Sequence, residues 1–182
     1  MARIGLKNIH YAVLTKDESD GVTYEKPKKI GNAISIEINT NSNKATLYGD
    51  DMAVASNTTI LDSTVTIETT SIPLEDRAIL LGHTVDSTTG AVIAKGSDPP
   101  PDVAILFETD NEDGSTDYVK WYKGKFAPTQ ESINTRGENL EYQTPRLEGT
   151  FVARQYDGAY QIIANSANSL SASLISSWYD SV

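Results

Sequence analysis

Two histidines, one acidic cluster and one glycine-lysine pair are the residues of this chain whose types suggest chemistry. A metal held by imidazoles needs them a helical turn apart or convergent with other ligands. His10 and His83 lie far apart in the chain and read as ordinary strand or loop residues. Asp110 to Asp113 (DNED) has the composition of a calcium loop. It lacks that loop's ligand spacing and its closing bidentate glutamate, so it reads as a solvated hairpin tip. Gly124-Lys125 looks like the end of a phosphate-binding loop. Val119 stands where the upstream glycine belongs and Phe126 where the Ser or Thr belongs, so a strand end or turn accounts for the pair. Serines abound without a nucleophile-elbow signature around any of them. Carboxylates abound too, but nothing pairs two of them as a glycosidase requires. Asn57 and Thr59 form a glycosylation sequon with no secretory signal ahead of it. Lys26, Lys28 and Lys29 read as a solvated strand end. No catalytic, cofactor-binding or metal residue is assigned, and the expectation is a protein that is not an enzyme and carries no cofactor.

Those residues sit in a chain of 182, with no cysteine and a formal net charge of -10. Disulfides and thiolate metal sites are excluded, so burial and backbone pairing must supply stability. The acid excess opposes ordinary wrapping of nucleic acid, which needs dense Lys and Arg. Apolar runs such as Val103 to Phe107 are too short to cross a bilayer. The opening MARIGLKNIHYAV has no apolar signal core. A soluble protein without membrane contact is expected, folded as a single domain over residues 1–182.

The stretch Ile30 to Thr70 organises the rest. Ile34, Ile36 and Ile38 alternate with Ser35, Glu37 and Asn39, and Leu61, Val65 and Ile67 alternate with Asp62, Thr64, Thr66 and Glu68. This period of two predicts two strands, each with one buried and one wet face. The polar stretch between them, about 39–59, predicts a long connection rather than a tight turn. Before it, a short arm (about 1–8) leads to a strand over Asn8 to Thr15, a turn at Lys16 to Gly21, and a segment bent at Pro27. After it, Ser71 to Gly82 predicts a helix. Pro73, Glu75 and Asp76 open it, Gly82 ends it, and Leu74, Ala78 and Leu81 face the sheet. Further strands are expected at Thr84 to Asp86, Ala91 to Lys95, Val103 to Thr109, Tyr118 to Lys123, Leu140 to Tyr142, Gly149 to Gln155 and Tyr160 to Ala164. The C-terminal segment, about 166–182, spaces Leu170, Leu174 and Trp178 by four, as an amphipathic helix would.

Five segments carry a resemblance in order along the chain: GLKNIHYAVLT, KIGNAISIEI, ATLYGDD, DYVKWYKGKFAP and ENLEYQTPRLEGTFVAR. Together, over about residues 3–165, they resemble the major tail protein (tail-tube protein) family of long-tailed phages of Gram-positive hosts. The resemblance implies a mainly β fold: a tail-tube-like β-sandwich or barrel with a flanking short α-helix, a long β-hairpin loop and a C-terminal helix. It implies hexameric rings stacked into a hollow tube through which DNA passes, the sheets joining edge to edge. The implied partners are further copies of the chain and other tail proteins, namely the tape measure, the tail terminator and the distal tail protein. The place is the virion tail, assembled in the host bacterial cytoplasm.

Two sets of residues follow from joining the alternation to that resemblance. If Ile34, Ile36, Ile38, Leu61, Val65 and Ile67 turn inward, Glu37, Asp62 and Glu68 face the other way and are expected to line the bore, where negative charge keeps DNA from sticking. In the polar stretch, Leu47, Tyr48 and Met52 give apolar anchors beside Asp50 and Asp51, and this is the expected stacking loop between rings. The alternative is a monomeric Ig-like or lectin-like binding domain, with Tyr118, Trp121 and Tyr122 as an exposed ligand site.

Overall fold

A computed structural model describes residues 2–130, 133–135 and 142–182. The chain is mainly β. Its strands are β1 (Arg3–Glu18), β2 (Gly21–Tyr24), β3 (Lys28–Lys29), β4 (Ala33–Gly49), β5 (Met52–Thr69), β6 (Thr84–Val85), β7 (Val92–Ile93), β8 (Val103–Asn111), β9 (Thr116–Ala127), β10 (Arg146–Val152) and β11 (Gln161–Asn165). Helix α1 (Leu74–Leu81) follows β5, and a 3-10 turn (Ser169–Ser171) leads into α2 (Ala172–Ser176). One antiparallel sheet runs β2-β1-β8-β9-β10-β5-β4, with β3 added to β1 and β11 to β9. β10 takes Lys123 to Ala127 of β9, and β11 takes Asp117 to Trp121.

Strands from both ends of that order share one core. Ile9 and Tyr11 of β1, Ile105 and Phe107 of β8, Trp121 and Phe126 of β9, Phe151 of β10, and Val65 and Ile67 of β5 are buried in a single cluster with Leu80 of α1. The sheet therefore curls on itself, which is the expected sandwich or barrel-like arrangement. Each such side chain contributes ~1.5–3 kcal/mol by leaving water. β8 is buried on both faces through most of its length, which explains its unbroken VAILF run. The second face of β8 and β9 is covered by the C-terminal segment, where Trp178 packs on Leu106 and Ala164.

Several expectations change in detail. α1 ends as predicted, with Gly82 in the left-handed conformation (φ 74) that spares a side chain strain. Its inward face is different, however. Leu74 is exposed, while Asp76, Ala78, Leu80 and Leu81 are buried. Asp76 is drawn in because Tyr11 Oη donates to it at 2.8 Å and Lys28 Nζ lies 2.5 Å away. Ile34 and Leu61 do not turn inward: both are exposed, at 45% and 59%. The β4–β5 register shifts between Ala33 and Ser35 and again between Asn41 and Ser42, so each sits at a bulge that re-aims it. Ile36 and Ile38 pack on the core as expected.

The predicted arm is not separate. Arg3 to Lys7 already pair with β8 as the start of β1. The strand expected at Gly149 to Gln155 begins earlier, at Arg146, and stops at Val152. The strand expected at Leu140 to Tyr142 lies outside the described residues except for Tyr142, which is not in a strand. At the C-terminus the helix is only Ala172–Ser176, so Leu170 stays exposed and Trp178 reaches the protein from the turn beyond it.

Candidate assembly surfaces

β4 and β5 form a hairpin far longer than the sheet that carries it. The pairing continues from Ser42↔Ile60 out to Gly49↔Met52. Asp50 and Asp51 close it, both with positive φ (48 and 61), the backbone that a two-residue hairpin turn of the right twist requires. The expected long connection is thus a tight turn at the end of a paired arm. The arm was not legible because both of its faces are exposed, so polar and apolar residues mix along it without a sustained period of two. Its turn is also Asp-Asp instead of the usual Asn-Gly or Asp-Gly. At the rise of a β-strand the stretch from Ser42 to Gly49 is by itself about 25 Å long.

That arm exposes large apolar side chains. Leu47 is 65% exposed, Tyr48 and Met52 both 70%, and Val54 66%. A two-stranded ribbon alone is marginal in water, and clustered apolar groups there mark a contact surface. The structure brings Leu47, Tyr48, Asp50, Asp51 and Met52 together at the tip. Val54 joins them, although the sequence offered no period that would have singled it out.

The second surface is the polar face of β4, β5 and β10. Cross-strand pairing sets it in rows: Ser35–Glu68–Arg146, then Glu37–Thr66–Glu148, then Asn39–Thr64–Thr150, then Asn41–Asp62. Glu37, Asp62 and Glu68 therefore share one face. Glu148 belongs with them and was missed because the strand was expected to start after it; its alternation with buried Leu147 and Gly149 was the available signal. The acids are not equivalent. Glu37 is exposed. Asp62 accepts a hydrogen bond from Asn41 Nδ2 at 2.5 Å. Glu68 accepts from Thr144 and from Ser35, with Arg146 3.8 Å away. The Thr144 hydroxyl foremost, then Ser35 and Arg146, hold its carboxyl below the usual range.

The other sequence candidates are accounted for structurally. Trp121 and Tyr122 are buried, and Tyr118 packs edge-on against Trp178 at 5.6 Å, so these aromatics form no exposed ligand platform. His10 lies under the Tyr179 ring at 4.2 Å, and burial lowers its pKa. Asp110 pairs with Lys7 at 2.8 Å, and Asp113 caps the turn through Ser115, so the acidic cluster is a hairpin tip. Among the described residues, no helix is long and apolar enough to cross a membrane.

Among the described residues, the long outer edge of β4 carries no strand partner in this sheet. Exposed edges of that length normally invite pairing unless blunted by charge, proline or a cover. An unpaired edge, a projecting apolar arm and an acidic face describe a subunit built for assembly. No curated protein matches this sequence. A family model described as phage tail tube protein matches residues 1–174, and the chain belongs to that family as a structural, non-enzymatic component of the virion tail.

Proposed function

We propose that the chain forms hexameric rings that stack into a tube and conduct DNA during ejection. The observation that carries this reading is the β4–β5 arm: it is paired in its backbone yet buries almost none of its side chains on its own subunit. An arm of this kind gains its stability from a neighbour, and the inter-ring contact is the role it fits. Around a ring, the outer edge of β4 is completed by the adjacent subunit. The face carrying Glu37, Asp62, Glu68 and Glu148 lines the bore, where phosphates meet an excess of like charge and Arg146 is occupied by Glu68. Assembly takes place in the host cytoplasm with the tape measure, tail terminator and distal tail protein.

The test replaces Lys44 to Thr58 with Asn-Gly, which joins the opposed pair Asn43 and Thr59 by a favoured turn. The expected product is a folded chain that makes single rings or monomers and no tubes. Electron microscopy of the intact protein is expected to show six-fold symmetry. Normal tubes from the shortened chain, or any other symmetry in the intact one, would reject the reading.

A further inference from the structure

We infer that residues 169–182 form an acid-released latch: they close over a row of basic side chains, and protonation of His10 loosens them. The inference is independent of the tube reading above. Backbone register sets the row. Lys29 of β3 stands opposite His10 of β1, His10 opposite Leu106 of β8, Leu106 opposite Lys120 of β9, and Lys120 opposite Ile162 of β11. Five strands thus put three bases and no acid in one line. The C-terminal segment lies across it. Trp178 packs on Leu106 with Lys120 Nζ 4.3 Å from its ring centre, and the ring centres of Tyr179 and His10 are 4.2 Å apart. A bulge in β1 between Lys7 and His10 turns the Asn8 carbonyl the same way. That carbonyl accepts from His10 Nδ1 at 2.8 Å and from Tyr179 Oη at 3.2 Å.

The latch is lightly held. From residue 169 onward only Trp178 is fully buried, and its Nε1 has no hydrogen-bond partner. Lys120 is buried between two aliphatic neighbours, which lowers its pKa to about 8. Below that pH it is charged whether the segment is docked or not, so it weighs on the latch equally there. His10 is the group that changes. A carbonyl can only accept, so Nδ1 carries a hydrogen and Nε2 takes the second proton on acidification. Burial foremost, with Lys29, opposes that proton; the Asn8 carbonyl and Glu108 favour it; burial wins, and the pKa lies below its ordinary value. Tyr179, the group the segment itself brings, stays a neutral phenol, its pKa raised by burial. Undocking lets water reach the imidazole and restores a value near 6.5. The undocked form then binds more protons, and docking weakens as pH falls through about 6.5 toward the docked value. Release uncovers Leu106, Tyr118, Ile162 and Ala164, an apolar face that the docked segment hides.

Hydrogen exchange of the intact chain tests this, because a protection factor divides out the intrinsic pH dependence of exchange. The Trp178 amide donates to Ile175 O and the Asp180 amide to Ser177 O. Turns this short do not persist once undocked, so both amides report the latch. Their protection is expected to fall about tenfold from pH 7 to pH 5, since one titrating group gives at most about tenfold per pH unit. The amides of β8 and β9 are expected to keep theirs. His10→Gln, which stays neutral and retains an N–H for the Asn8 carbonyl, is expected to erase the fall. Lys120→Met is expected to raise protection at both pH values and leave the fall in place. Equal protection at pH 7 and pH 5 would overturn the inference. So would a fall that survives His10→Gln or vanishes with Lys120→Met, and so would loss of protection in β8 and β9 in step with the segment.

Discussion

The ring of Phe151 occupies the space a side chain on Gly124 would need. The two are directly opposed on β10 and β9, and a Cβ on Gly124 would collide with Phe151 Cδ1. Two pairs along, on the same face, the device repeats in reverse, with Phe126 opposite Gly149, and the two rings meet edge-on at 5.9 Å. Glycine here makes room for a cross-strand aromatic. The Gly124-Lys125 pair is thus a core feature of the sheet. Gly124→Ala is expected to cost about 1–3 kcal/mol by overpacking, read from urea unfolding. Combined with Phe151→Leu, the penalty of Gly124→Ala is expected to shrink. Full additivity of the two would show that they do not share this space.

Asp17 ties the end of β1 to the loop after β10. It accepts from Lys123 Nζ at 2.7 Å, from Gln155 N at 2.9 Å and from Tyr156 N at 3.0 Å, and its side chain is 6% exposed. Burial would raise its pKa; Lys123 and the two amides outweigh that and hold it below the usual value. A depressed carboxyl stabilises the fold above its unfolded pKa, about 3.9, and that stability is lost as pH falls through the folded value. Asp17→Asn is expected to cost about 3 kcal/mol at neutral pH by leaving Lys123 unpaired, and to flatten the acid limb of the stability curve. An unchanged acid limb would show that the carboxylate carries no such share.

The acidic face can be altered without breaking its own bonds. Glu68 is engaged by Thr144, Ser35 and Arg146, so its reversal would confound folding with charge. Glu37 and Glu148 flank Thr66 on the same face and are the better pair. Glu37→Lys with Glu148→Lys is expected to permit assembly and to slow genome ejection, most at low salt, where the screening length exceeds ~8 Å. Wild-type ejection kinetics at every ionic strength would remove these residues from the bore.

The C-terminal segment is held by a lysine that burial works against. Lys120 donates to Ser181 O at 2.8 Å and lies 4.3 Å from the Trp178 ring centre. Burial lowers its pKa to about 8. Undocking restores a value near 10.4, so the undocked form binds more protons between about 8 and 10.4, and docking tightens as pH rises through that window. Acrylamide quenching of Trp178, in a Trp121→Phe background, is expected to fall from pH 8 to pH 9.5. Lys120→Met is expected to make it independent of pH. Quenching that rises with pH in the lysine form would contradict this account.

Alternation in the sequence determined most of the sheet. Ile9 and Tyr11, Ile36 and Ile38, and Val65 and Ile67 are apolar at every second position and all reach the core, because a strand has no other way to bury one face. The helix and its glycine stop were legible for the same local reason: each end signal acts within a turn of the chain. The tertiary structure decided what no local signal encodes. Bulges in the β4–β5 pairing turned Ile34 and Leu61 outward, since register depends on the partner strand. Tyr11 and Lys28 pulled Asp76 in and left Leu74 outside. The arm from Ser42 to Ile60 became strand through backbone pairing alone, which side-chain pattern cannot report. Glu37 of β4, Thr66 of β5 and Glu148 of β10 fall in one row only because strands distant in the chain pair side by side.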